Sequence, residues 1–133
     1  MFEIEMNGTM YQFNFGMGFM RDADRGRKSA PDPNGIVENI GFRYMVAGIM
    51  QGNCESLEEA LLLANKGFEP RVTMEILDEF IENKCTDIDK LFDDILGFLR
   101  TANATKKPMK IIEKDIEFAN QIKEKQIEAQ MNV

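Results

Sequence analysis

An α+β fold, mostly α, is what this sequence predicts: an N-terminal β-hairpin packed on a bundle of about five helices. Three observations predict it. The first fifteen residues alternate apolar and polar around an Asn-Gly turn. The segments after residue 35 carry apolar residues at helical spacing. Capping residues and glycines punctuate those segments where helices would start and stop.

In the hairpin, Phe2, Ile4 and Met6 alternate with Glu3 and Glu5, and Tyr11, Phe13 and Phe15 alternate with Gln12 and Asn14. Asn7-Gly8 between them suits a two-residue turn, because both central positions then need positive φ. That turn fixes the register. Phe2 faces Phe13, Ile4 faces Tyr11 and Met6 faces Thr9, all on one side. Glu3, Glu5, Met10, Gln12 and Asn14 fall on the other. A lone two-stranded hairpin is marginal in water, so this one must lie on the helices.

Gly16-Met17-Gly18 reads as a hinge that breaks the strand, with a short helix over 19–24. Residues 25–35 hold Gly26, Ser29, Pro31, Asp32, Pro33, Asn34 and Gly35, the composition of an exposed, mobile loop. The run Ile36–Met50 is apolar nearly all round and reads as one buried central helix. Ser56 with Glu59 forms a capping-box pattern for the next helix, which Gly67 stops. Thr73 caps a helix with Ile76, Leu77, Phe80 and Ile81 inward. Thr86 caps another with Ile88, Leu91, Phe92, Ile95, Leu96 and Leu99 inward.

The organisation changes after residue 104. Residues 1–104 carry 18 acids and 10 bases, net −8. Residues 105–133 carry 5 acids and 6 bases, net +1. The reading is a hairpin-plus-helix body, 1–104, followed by a charged helix or tail, 105–133. Its stripe of Ile112, Ile116, Ala119 and Ile122 is too narrow to stabilise a lone helix.

Composition narrows the function. The net charge of −7 lacks the basic footprint that nucleic acid or an anionic membrane surface requires. No apolar run approaches bilayer length. With no histidine, Ser-His-Asp and Cys-His catalysis and imidazole metal sites are ruled out. Cys54 and Cys85 have no base and no zinc spacing, and read as small hydrophobes or loop residues. The absence of a disulfide framework and of a signal-peptide pattern points to a reducing cytoplasm. Two acidic clusters, Asp87, Asp89, Asp93 and Asp94, and Glu75, Asp78, Glu79 and Glu82, lie opposite apolar stripes and read as solvated faces rather than sites. No catalytic or metal residue and no cofactor is expected.

What remains is binding. The ten methionines form an adaptable apolar resource. Met45 and Met50 read as core filling. Met10, on the polar side of the hairpin, and Met17 and Met20, beside the loop, are the candidate partner surface. Ile112, Ile116 and Ile122 join them as a second candidate stripe on the last helix.

The succession of segments resembles a known family, the tail assembly chaperones of long-tailed phages and prophages of Gram-positive bacteria. The matching pieces are Phe2–Gly8, Phe13–Arg21, Ala64–Thr73, Leu77–Glu82, Thr86–Phe92 and Asn103–Lys107. The loop 22–35 and the tail after Pro108 match least. The resemblance implies a non-enzymatic protein of the host bacterial cytoplasm. It would bind the long tape measure protein before tail tube subunits polymerise around it, then leave, and would be absent from the finished particle. Many members are also made as a longer, frameshifted form. Self-association, or stacking of several copies along one client, is expected from the avidity that an extended client offers. Two readings compete with this one: a tail-completion or connector protein that stays in the virion, and a small acidic regulator directed at a host protein.

Overall fold

The computed structural model describes residues 2–131. Strands β1 (Phe2–Met6) and β2 (Thr9–Phe13) form an antiparallel hairpin, followed by helices α1 (Met17–Arg25), α2 (Gly41–Met50), α3 (Cys54–Ala64) and α4 (Met74–Glu79). A π-helical turn (Phe80–Lys84) extends α4 and leads to α5 (Ile88–Thr101) and α6 (Lys106–Met131). The fold is therefore α+β and mostly α, as expected, with six α-helices among the described residues.

The hairpin has the register that its turn dictates: Phe2 opposite Phe13, Ile4 opposite Tyr11, Met6 opposite Thr9. Asn7 and Gly8 both take positive φ, at 53° and 82°. Met6, Tyr11 and Phe13 are buried, while Met10 stays outside. The buried side carries an aromatic chain into the helices. The Phe2 ring lies 4.6 Å from Phe98 of α5. Phe15 meets Phe19 of α1 edge-on at 5.0 Å, and Phe19 meets Phe42 of α2 edge-on at 6.3 Å. Edge-on contacts of this kind add to the burial itself. Leu57, Ala60 and Leu61 of α3, Leu77 of α4 and Ile95 and Leu99 of α5 complete the core.

Several expected boundaries move, each for a local reason. Gly16 is the N-cap of α1 and Met17 is already helical, so 16–18 is a helix start rather than a hinge. The central helix begins at Gly41, not Ile36. Residues 27–40 instead make an antiparallel excursion, in which Ser29 N donates to Glu38 O (2.8 Å) and Ile40 N donates to Arg27 O (2.9 Å). Its tip is closed by the Asp32 carboxylate, which accepts from the Asn34 and Ile36 amides. Ile36 and Val37 are exposed there, and Tyr44 is exposed on α2 under the Arg27 guanidinium. Apolar β-branched residues suit an extended return as well as a helix, so periodicity alone extended α2 too far.

Gly41 has a packing reason to be glycine. A Cβ there would sit 1.9 Å from the Ala23 carbonyl oxygen, so α1 and α2 touch backbone to backbone. Gly48 leaves room for a side chain instead, since a Cβ there would meet the Ser56 Oγ of α3 at 2.1 Å. Ser56 is therefore inside α3 and is not its cap. Asn53 caps that helix, its side-chain oxygen accepting from the Glu55 and Ser56 amides. Likewise Asp87, not Thr86, caps α5, accepting from Lys90 N at 3.0 Å. Thr73 caps α4 as expected, but only Leu77 of its inner face is fully buried. Met45 is buried and Met50 is half-buried against the core.

The last helix is rooted in the body. Thr105, just before it, is fully buried and donates its hydroxyl to Leu99 O at 2.7 Å. Met109 and Ile112 are buried, and Arg100 Nε meets Glu113 at 2.9 Å. Asp115 pairs with Arg43 of α2. Pro108 falls in the first turn, where its missing N–H has no intrahelical partner to lose. From Glu117 onward every described residue of α6 is exposed, so the helix leaves the body and projects for about four turns.

Candidate partner-binding surface

The structure separates the six candidate residues. Met10 is 49% exposed on the outer side of β2, opposite Glu5. Met17 is 60% exposed on the first turn of α1. Met20, by contrast, is half-buried and packs on the core. On α6, Ile112 is buried within the core and Ile116 packs partly against it. Ile122 is 41% exposed on the projecting part. Exposed apolar contacts are thus offered by Met10, Met17 and Ile122, while Met20, Ile112 and Ile116 hold the fold together.

Other exposed groups were hidden from the sequence reading. Ile111 and Phe118 are exposed on α6, as are Ile36, Val37 and Tyr44 on and beside the 27–40 excursion. The signal for Ile111 and Phe118 was available. They lie seven residues apart, with Ile122 four further on, on a side of α6 different from that of Met109 and Ile112.

Three polar residues are buried among the described ones: Thr105, at the root of α6, and Asn65 and Glu58 of α3 and its C-terminal end. Asn65, at the C-terminus of α3, is fully buried. Its Nδ2 donates to Gln12 O (3.0 Å) and Pro70 O (3.3 Å), and its Oδ1 accepts from Val72 N (2.7 Å). One side chain so ties the hairpin, α3 and the 66–72 connection together. Beside it, Asn14 N donates to Ala64 O at 2.8 Å.

Glu58 of α3 is only 7% exposed, and its Oε2 has no hydrogen-bond partner. Burial, then a hydrogen bond with Asp78 of α4 and that residue's charge, push its carboxyl up to about 7. Glu55 and Glu82 add smaller repulsions. Glu58 shares the inward side of α3 with Leu61 and Asn65, three and seven residues on, which was the signal for its burial. The acids of α4 are exposed, as a solvated face requires, apart from this one contact through Asp78.

A cavity of about 500 Å³ lies among α1, α2 and α3 and is lined by Asp22, Arg27, Tyr44, Glu55 and Glu59, among others. Its charges are already engaged in part: Asp22 bonds Lys66 at 3.0 Å and Arg27 stacks on Tyr44 at 3.7 Å. Among the described residues no group of three or more Cys, Asp or Glu side chains is placed to hold a metal ion. Nor is any helix long and apolar enough to cross a membrane. The geometry is that of a small acidic body presenting separate apolar contacts.

Residues 3–114 match the family model described as phage tail assembly chaperone protein. The chain belongs to that family. The match runs from β1 through the rooted turns of α6, and so includes the 27–40 excursion as well as the hairpin. The projecting part of this chaperone lies beyond it. Comparison with curated proteins and with solved structures gave no match. The tail assembly chaperone therefore carries its family's assignment on the body that holds Met10 and Met17.

Proposed function

We propose that this chain is a transient, non-enzymatic assembly chaperone that binds the tape measure protein of a long-tailed phage and keeps it soluble in the host cytoplasm. The tail tube protein, whose subunits take its place on the client, is the second partner such a role brings near. Family membership carries the reading. The physical support is a folded acidic body with unbranched, adaptable methionines left in solvent at Met10 and Met17. A long helical client exposes apolar stripes and aggregates alone. Many weak apolar contacts shield it without capturing it permanently, and the acidic exterior keeps the complex in solution.

The test is co-expression with the phage's own tape measure protein, followed by affinity pulldown and light scattering of the soluble fraction. A soluble complex, with the client insoluble alone, is the expected result. No complex, with the client's solubility unchanged, would sink the reading. A stable place in purified virions, seen by mass spectrometry, would favour a tail-completion protein instead. Capture of a host protein with tails unaffected would favour a host-directed regulator.

Met10→Asp refines the test. Met10 is 49% exposed, so the variant should unfold within about 0.5 kcal/mol of the wild type. Client binding should weaken. Thermal melts and pulldown on the same preparation separate the two effects, and unchanged binding would remove Met10 from the client surface.

A further inference from the structure

We infer that the projecting part of α6 pairs antiparallel with the same segment of a second copy of this chain. The pairing goes beyond the client reading and does not depend on it.

The exposed apolar residues of α6 are not scattered. Ile111 and Phe118 are 53% and 64% exposed, and Ile122 lies four residues after Phe118. At 3.6 residues per turn, positions 111, 115, 118, 122, 125 and 129 form one straight seam along the helix, with the alternating steps of four and three that pairing helices use. The seam reads Ile111, Asp115, Phe118, Ile122, Lys125 and Ala129. It runs about 28 Å. The body covers a different side of the same helix through Met109, Ile112 and Ile116, so the seam is exposed, and it meets the body only where Asp115 pairs with Arg43. Ile127 and Met131 lie on the opposite side and take no part.

Charge selects both the occupant and its direction. Place a second copy antiparallel, with the twofold axis beside Asn120. Phe118 then faces the second copy's Ile122, and Ile111 faces its Ala129. Asp115 faces the second copy's Lys125, and Lys114, flanking the seam, faces its Glu128. Symmetry repeats each of these contacts. Asp115, half-exposed and paired with Arg43, has a side still open to Lys125. A parallel pairing in register sets Asp115 against Asp115 and Lys125 against Lys125, which repels. Only one direction therefore satisfies every layer of the seam, and in that direction the seam is its own complement. The antiparallel direction also sends the two bodies to opposite ends of the pair.

An isolated helix of this length is marginal in water unless an apolar side is covered. The seam is smaller than a standard stable interface, so the dimer should dissociate at roughly micromolar concentration. The full-length chain alone tests this, without any client. Sedimentation velocity across a concentration series should show a monomer–dimer equilibrium. Phe118→Asp should weaken it by about tenfold or more. The native circular dichroism and melting point of the body should not change, because Phe118 is 64% exposed on the projecting part. A chain that stays monomeric to about 100 times that concentration overturns the pairing.

Direction is tested by cysteine crosslinking on a Cys54→Ser background. Mixed Ile111→Cys and Ala129→Cys chains should form the heterologous disulfide dimer. Self-crosslinking of Ala129→Cys in preference to the mixed product would show a parallel or non-specific contact and overturn the antiparallel seam. Should the chain remain monomeric while Phe118→Asp abolishes client capture, the seam is a client site and the self-pairing is wrong. Failure of the pairing leaves the pulldown result intact, so the two readings fall separately.

Discussion

Asn65→Ala is expected to destabilise the chain by about 3 kcal/mol, a large part of what a domain of this size has to lose. The wild-type side chain makes three hydrogen bonds in a site closed to water. Alanine leaves the buried Val72 amide without an acceptor, and leaves the Gln12 and Pro70 carbonyls without this donor. Unpaired buried groups cost their full desolvation, which is why loss of one partner is worse than loss of the pair. Because Gln12 belongs to the hairpin, the variant should also loosen β2 from α3. Urea unfolding should show a lower midpoint with an unchanged slope. Asn65→Asp serves as the control: it keeps the acceptor for Val72 but removes both donor bonds and adds a buried charge. If either variant unfolds within about 1 kcal/mol of the wild type, Asn65 is not the tie described here.

Glu58→Gln should act in the opposite direction. The folded chain holds the Glu58 carboxyl near 7, well above the usual 4.5. A carboxyl raised in the folded state leaves stability intact below about 4.5, where it is protonated whether the chain is folded or not. As pH rises from there towards 7, the unfolded chain releases the proton and the folded chain keeps it, so stability falls. Above 7 the folded form ionises too and the loss levels off. A displacement of that size corresponds to at most about 3 kcal/mol. Screening through the nearby surface reduces the expected effect to about 2 kcal/mol. Glutamine has no charge to desolvate and can still donate to Asp78. The variant should therefore match the wild type near pH 4.5 and exceed it by about 2 kcal/mol at pH 8. Urea unfolding at both values measures this difference, which isolates Glu58 from the other carboxyls. A variant weaker than the wild type at pH 8 would show that the ionised carboxylate is needed where it lies.

The hairpin was legible because two independent signals agreed on it. Asn7-Gly8 fixed the turn and the alternation fixed the sides, and together they left only one register. The inward stripe of α5 was legible for the same kind of reason, its periodicity being long and its apolar residues large. The start of α2 was not, because Ile36 and Val37 fit a helical pattern and an extended return equally well. Only long-range bonds from Ser29 and Arg27 decided between them. The helix caps shifted because capping depends on where the preceding chain turns. Gly52 turns it at positive φ just before Asn53, so Asn53 reached the open amides before Ser56 could.

For the candidate surface, exposure was legible at Met10 and Met17 and burial was not legible at Ile112. A thin stripe on a charged helix looks alike whether a body or a partner covers it. The deciding contacts, Thr105 to Leu99 and Arg100 to Glu113, join segments that the composition change at residue 105 had seemed to separate. Asn65 and Glu58 stayed hidden because polar residues at inward positions read as exceptions to a pattern. Here Asn65 fastens three segments together, whereas Glu58 costs stability once it ionises.

The rooting of α6 has a kinetic meaning as well. An appendage joined by a loose linker searches a large volume, and each encounter must stop that motion before contacts form. Met109, Ile112 and the Arg100–Glu113 and Arg43–Asp115 pairs hold the base of this helix at a set angle to the body. The outer turns are thus aimed before any encounter takes place. Cutting the root, rather than the tip, should therefore slow association while leaving the contacting side chains unaltered.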